Sequence, residues 1–152
     1  MTSPNVWGPR IWRFIHTLIE KLKFDSDAST LFSVLKQIVF NLPCPSCSSH
    51  AKLFLMKNQR EITNKEELKE LFFMFHNFVN AKTGKSKFEY KNLHNYKDVN
   101  IGLAFQDFVS VFHTNGNMGL IMESFQRKMA LSNMSKWFIK NRNLFDLIPH
   151  KN

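Results

Sequence analysis

The sequence predicts an all-α fold: a four-helix bundle with a short fifth helix, plus additional C-terminal helices. Three observations predict it. The 152 residues hold only 5 Gly and 5 Pro against 16 Phe, too few turn formers for a sandwich or barrel of many short strands. Apolar residues recur at helical spacing along most of the chain. Nothing in residues 1–100 alternates apolar and polar over a strand length. The length suits one domain of about 100–150 residues. A 43% hydrophobic share and a mean hydropathy of −0.28 belong to a soluble globular protein rather than a disordered or membrane one.

Each element has its own signals. Pro9 suits a first helical turn, where its missing N–H costs nothing. Ile11, Trp12, Phe14, Ile15, Leu18, Ile19 and Leu22 then recur at helical spacing, so a first helix is expected from about Pro9 to Leu22. Ser29 starts a second, which carries Leu31, Phe32, Leu35, Ile38 and Val39 and stops before Pro43. Pro45 opens a third, through Leu53–Met56 to about Asn58. Thr63 or Asn64, with Glu66 or Glu67 three residues on, forms a capping signal. The fourth helix follows from Lys65 to Lys82 and ends near Gly84. The short fifth is expected around Tyr90–Tyr96. Beyond it, Ile101–Phe112 and Met118–Leu131 read as amphipathic helices, separated by His113, Thr114, Asn115 and Gly116. A third piece, Lys136–Leu147, is basic and aromatic.

The chain carries 21 Lys+Arg against 12 Asp+Glu, a formal charge of +9. A pI near 9.7 invites a nucleic-acid reading, but the distribution weakens it. Basic and acidic groups number 5 and 3 in residues 1–50, 10 and 6 in 51–100, and 6 and 3 in 101–152. The one concentration is Arg127, Lys128, Lys136, Lys140 and Arg142, and a solvated basic face accounts for it. No secretory signal is visible, and no stretch reaches the ~18–20 apolar residues of a membrane-spanning helix. In a cytosolic setting a C-x-x-C is catalytic or metal-binding more often than structural.

Three constellations could carry chemistry. The two cysteines, Cys44 and Cys47, flank Pro45-Ser46 and precede His50. A C-x-x-C at a helix start puts both sulfurs within bonding reach on one turn, and the helix dipole favours a thiolate there. His50, three residues on, lies on the same face. Two unrelated buried cysteines, or a zinc site using two histidines, are the alternatives. The second set is Trp7-Gly8-Pro9-Arg10-Ile11-Trp12 with His16. Trp12 and His16 share a helix face and suit a flat heteroaromatic ligand, or simply a core with a hydrogen-bonded His. The third is His76-Asn77-Phe78-Val79-Asn80, then Lys82, Gly84, Lys85 and Phe88. Buried amides and a His need partners. A nucleotide's ring edges and phosphates would supply them, with Lys82 and Lys85 near the phosphates, although lysines at a solvated helix end explain themselves.

Taken together, W-G-x-x-x-W-x-x-x-H, C-x-x-C-x-x-H and H-N-x-V-N-x-x-x-G-K-x-x-F resemble the Erv/ALR flavin-linked sulfhydryl oxidases over about residues 6–96. The compact versions encoded by large DNA viruses look most similar. The resemblance implies a four-helix bundle with a short fifth helix, usually dimeric, holding FAD. Gly8, Trp12, His16, Cys47, His50, His76, Asn77, Val79, Asn80, Lys82, Lys85 and Phe88 would line the cofactor pocket. No metal is implied. Cys44 would face a thiol substrate, and Cys47 would pass electrons to the flavin, which oxygen reoxidises to give hydrogen peroxide. The implied partners are a dithiol protein (thioredoxin-like or a viral structural protein), oxygen and a second copy of the chain. A viral member would work in host cytoplasm or the virion, and a cellular one in the mitochondrial intermembrane space. Lys21 and Leu42 stand where many members carry aromatic residues. The expected division is an oxidase unit over residues 1–100 and a helical extension over 101–152, packed on it or forming a dimer interface. A non-enzymatic helical module that binds nucleic acid or an acidic surface through the basic C-terminal region is the alternative.

Overall fold

The computed structural model describes residues 4–112 and 121–147. Six α-helices run through them: α1 (Pro4–Lys21), α2 (Ala28–Val39), α3 (Pro45–Lys57), α4 (Lys65–Lys82), α5 (Ile101–Phe112) and α6 (Ile121–Lys140). Short 3₁₀ segments cover Asp25–Asp27, Tyr90–Asp98 and Arg142–Leu144. Among the described residues the only strand-like pairing is a single antiparallel bridge, Leu22 to Phe145. The fold is all-α, as the periodicity predicts.

Helix α4 has the predicted ends. Asn64 Oδ1 accepts the Glu67 N–H at 2.8 Å, and Glu67 Oε1 accepts from Asn64 Nδ2 at 2.7 Å and from Thr63 Oγ1 at 2.6 Å. One helix-end N–H, the capping amide itself and a loop hydroxyl are satisfied in one turn. Gly84 closes the other end with φ of 71°, a left-handed conformation that favours glycine. Asn64→Ala is expected to cost about 1 kcal/mol of stability. Urea unfolding checks it, with a lower midpoint at unchanged slope.

Three elements differ from expectation, each for an identifiable reason. Helix α1 begins at Pro4 and encloses Pro9. Pro4 satisfies the first-turn rule as well as Pro9 does, and Pro9 sacrifices only one bond near the helix start. The earlier start carries Trp7 into the core at 5% exposure. The segment Tyr90–Asp98 is 3₁₀ rather than α, with Leu93 as its one buried residue; a single anchor provides no apolar stripe to hold α turns. The two expected C-terminal helices are one, α6, because residues 131–136 contain neither Gly nor Pro and Met134 is 1% exposed. It ends at Lys140, where the Asn141 side chain bonds back to Trp137 O at 2.8 Å. The expected start at Met118 and the His113–Gly116 separator lie outside the described residues.

Helix α1 is central. It packs against α2, α4, α5 and the Tyr90–Asp98 segment, while α6 lies on α2 and α5. Phe14 is fully buried among Phe108 at 4.7 Å, Phe105 at 5.7 Å and Phe138 at 5.9 Å between ring centroids. One continuous apolar cluster joins Ile11 to Leu22 of the first turns with Phe108, Phe138 and Phe145. The chain after α6 returns to the end of α1: Asp146 N–H donates to Lys21 O at 2.8 Å and Lys23 N–H to Leu144 O at 3.0 Å. No helix among the described residues is long and apolar enough to cross a membrane.

Candidate active site

The cysteine pair is built by the start of α3. Pro45 occupies its first turn and Cys44 is the N-cap, in extended backbone. The Leu42 N–H donates to Ser48 Oγ at 2.8 Å, pinning the preceding loop onto this turn. One turn of helix sets the Cα atoms of Cys44 and Cys47 5.2 Å apart, and the two sulfurs form a disulfide. Cys44 Sγ accepts the Cys47 N–H at 3.3 Å and lies 3.1 Å from Ser46 Oγ. These donors, with the positive end of the α3 dipole, stabilise negative charge on that sulfur once the pair is opened.

Cys47 borders a cavity of about 460 Å³ between α1, α4 and the loop after α4; Cys44 does not. Its walls are aromatic. Trp12 and His76 stack at 4.1 Å with 6° between their planes, and Phe88 stacks on His76 at 4.8 Å. Lys82 and Lys85 stand exposed at one rim, with Thr83 and Ser86 beside them. The cavity therefore pairs flat apolar faces with a cationic end.

Of the residues expected at the site, Gly8, Trp12, Cys47, His50, His76, Val79, Asn80, Lys82, Lys85 and Phe88 border this cavity. His16 and Asn77 stand behind the wall. His16 is 2% exposed, and its Nε2 lies 2.8 Å from His76 Nδ1, so the two rings share one proton across the bond. Asn77 clamps Phe88 from both sides, donating to its carbonyl at 3.0 Å and accepting its N–H at 2.7 Å. Asn80 divides its amide differently, donating to Ser86 O at 3.0 Å while bordering the cavity. The two amides thus shape the loop that carries Lys85 and Phe88. Trp7, Phe75, Phe78 and Tyr96 also line the cavity. The spacing of Phe75 and Phe78 is that of any packed helix and does not tell a cavity wall from a core; the Trp7-Gly8 pair was the available signal for Trp7.

Burial fixes the histidine charges. It pushes His76 from its ordinary value of 6.5 to about 4, with Lys85 adding to the effect. Burial, then His76, lowers His16 well below the ordinary range. Both rings are neutral near pH 7. The unfolded chain takes up protons below about 6.5 that the folded chain refuses until about 4. Stability is therefore full above 6.5 and falls as pH drops through that window. Thermal midpoints measured across the window check this: the fall is expected to be steeper for the native chain than for His76→Phe.

A family model described as the Erv1 / Alr family matches residues 9–99, more than half of the chain. The chain belongs to the Erv1/Alr family. It is similar to a FAD-linked sulfhydryl oxidase of African swine fever virus (isolate Tick/Malawi/Lil 20-1/1983), at 30% identity over 113 residues, 70% of this chain and 95% of that protein. A putative FAD-linked sulfhydryl oxidase of Invertebrate iridescent virus 6 is 35% identical over 95 residues, 55% of this chain and 84% of the relative. A probable FAD-linked sulfhydryl oxidase of Vaccinia virus (strain Copenhagen) is 24% identical over 86 residues, 57% and 88% of the two chains. No solved structure matches. Helices α5 and α6 lie beyond the Erv1/Alr match. Of the two departures from the usual aromatic pattern, Leu42 borders the cavity. Lys21 does not: it is buried under the returning tail, where its carbonyl holds Asp146.

Proposed function

We propose that the protein is a FAD-dependent thiol oxidase that forms disulfide bonds in protein substrates through Cys44 and Cys47 and delivers the electrons to oxygen, giving hydrogen peroxide. The observation that carries this reading is the Cys44–Cys47 disulfide with one sulfur on the wall of an aromatic, cation-rimmed cavity. Membership of the Erv1/Alr family and the sulfhydryl-oxidase activity named for its relatives support it. A viral protein fits those relatives, and host cytoplasm or the virion is the proposed place of work.

The cavity fits FAD on its own chemistry. Trp12 and Phe88 offer flat faces, His76 braces the two rings from between, and Lys82 and Lys85 match a diphosphate. A methyl group at Gly8 would meet no protein atom within 4 Å, so the bare backbone there serves no packing need. The Trp7 indole N–H is buried with no acceptor among the described residues, as expected of a wall completed by something other than protein. When bound, FAD supplies a two-electron acceptor that oxygen can regenerate.

The chain's own part follows from the pair. A substrate thiolate attacks Cys44 Sγ; a bond to the substrate sulfur forms, the Cys44–Cys47 bond breaks, and Cys47 leaves as a thiolate. A second substrate thiolate attacks the substrate sulfur of that mixed disulfide and expels Cys44. The substrate gains a disulfide, and the pair holds two electrons and the accompanying protons. Cys44 is the sulfur outside the cavity and thus the one for substrate. Cys47 presents the other to the cavity. His76 in the cavity wall and His16 behind it are neutral near pH 7.

We read residues 1–100 as the oxidase unit and 101–152 as an extension packed on α1 and α2, working in a homodimer. Gly8→Ala tests the cofactor reading without touching the cysteines. Ala is about 1 kcal/mol better than Gly inside a helix, so the FAD-free protein is expected to be no less stable, while FAD affinity falls about tenfold or more as the methyl enters the cavity. Unchanged affinity by fluorescence titration would remove Gly8 from the site.

A further inference from the structure

We propose that the groove between α2, α3 and the loop before α4 is a docking surface for an acidic, extended segment of the protein whose thiols are oxidised. The inference rests on the thiol-oxidase reading above. Two adjoining hollows of about 620 and 420 Å³ share Phe32, Lys36, Arg60 and Glu61 and so form one groove. Its lining is mixed: Phe32, Phe40 and Met56, the last 62% exposed, form an apolar floor among hydroxyl and amide side chains. Its cations are Lys36, Lys52 and Arg60, against the one lining carboxylate, Glu61. Arg60 has a distant partner in Glu70 at 4.0 Å. The +9 charge of the chain thus has a local expression here, with Lys52 on the helix that Cys44 caps.

Position links the groove to the chemistry. Lys52 follows Cys44 by eight residues along α3, about 12 Å at the helical rise. An extended chain covers that distance in about four residues. A substrate bonded to Cys44 through its own cysteine can therefore lay the residues about four to eight positions away into the groove. Its carboxylates would meet the three cations, and its aliphatic side chains the floor. Nucleic acid fits less well. Single strands need free ring faces for base stacking, and here the Lys36 ammonium already sits over Phe32 at 4.6 Å and that of Lys52 over Phe40 at 6.0 Å.

The experiment uses FAD-loaded full-length protein and three substrates: dithiothreitol, a dithiol peptide with Asp and Glu about four to eight residues from its nearer cysteine, and the same peptide with Asn and Gln. The acidic peptide is expected to show a KM about five- to tenfold lower than its neutral twin at low ionic strength, with equal kcat. Salt should erase the difference. The pair Lys36→Glu and Lys52→Glu should abolish or invert it while dithiothreitol turnover stays unchanged. Equal KM values for the two peptides, or an acidic preference that survives the charge reversal, would overturn the proposal. So would displacement of the acidic peptide by a single-stranded oligonucleotide whose binding the reversal abolishes, which would assign the groove to nucleic acid. Failure to oxidise dithiothreitol at all would instead strike the thiol-oxidase reading itself.

Discussion

Cys47→Ser is expected to reduce dithiol-driven oxygen uptake to background, a loss of about 10³-fold or more, while FAD remains bound. Serine lacks the sulfur needed to form or exchange the bond with Cys44, so no electron pair can be stored between substrate and cofactor. The substitution is nearly isosteric at a half-buried position, so the fold should survive. The cofactor should stay as well, since Trp12, His76 and Phe88 come from α1, α4 and the following loop. The check pairs an oxygen electrode with an absorbance spectrum of the same sample. Retained turnover would mean that electrons enter by a route other than the cysteine pair. Lost turnover with lost FAD would point to a structural effect. Cys44→Ser is expected to lose activity equally, because the proposed relay has the sulfur outside the cavity receive the substrate.

The second large effect is expected at His76. Its ring lies between Trp12 and Phe88 and shares a hydrogen bond with buried His16 at 2.8 Å. Replacement by Ala removes the stacking and leaves His16, 2% exposed, with a lost partner. The expected cost is about 3 kcal/mol, or roughly 10 °C in thermal midpoint, together with loss of FAD. His76→Phe restores a flat ring but not the bond. It should recover most of the FAD affinity and only part of the stability. If His76→Ala unfolds at the native temperature and still binds FAD, the wall of the cofactor site has been placed on the wrong side chains.

Local signals decided how far the sequence could be read. Helix α4 was legible to the residue because Asn64, Glu67 and Gly84 satisfy its ends by short-range chemistry. The cysteine turn was legible for the same reason, with Pro45 at its start. The first residues of α1 were not, since Pro4 and Pro9 obey one rule equally and only the burial of Trp7 decides between them. In α6, the basic and aromatic residues after Lys136 suggested a separate element, yet continuity depends on the absence of a breaker and on Met134 packing inward. The three motif sets located the cavity, and ten of the expected cofactor residues border it. What they could not distinguish was a side chain on the wall from one behind it: His16 and Asn77 sit one layer back and act through His76 and Phe88. Lys21 shows the same limit from the other side. Its ammonium is buried, and the carboxylates of Asp146 and Asp98 that act on it come together with it only in the folded chain.

The most direct test of the account is oxygen consumption by the purified, FAD-reconstituted protein with dithiothreitol as the only reductant, followed together with its visible spectrum. The account predicts a flavin spectrum, uptake of one oxygen molecule for each dithiol oxidised, and an equal yield of hydrogen peroxide, all dependent on Cys44 and Cys47. A protein that binds no flavin after reconstitution, or one that binds flavin but consumes no oxygen with a dithiol, would contradict it.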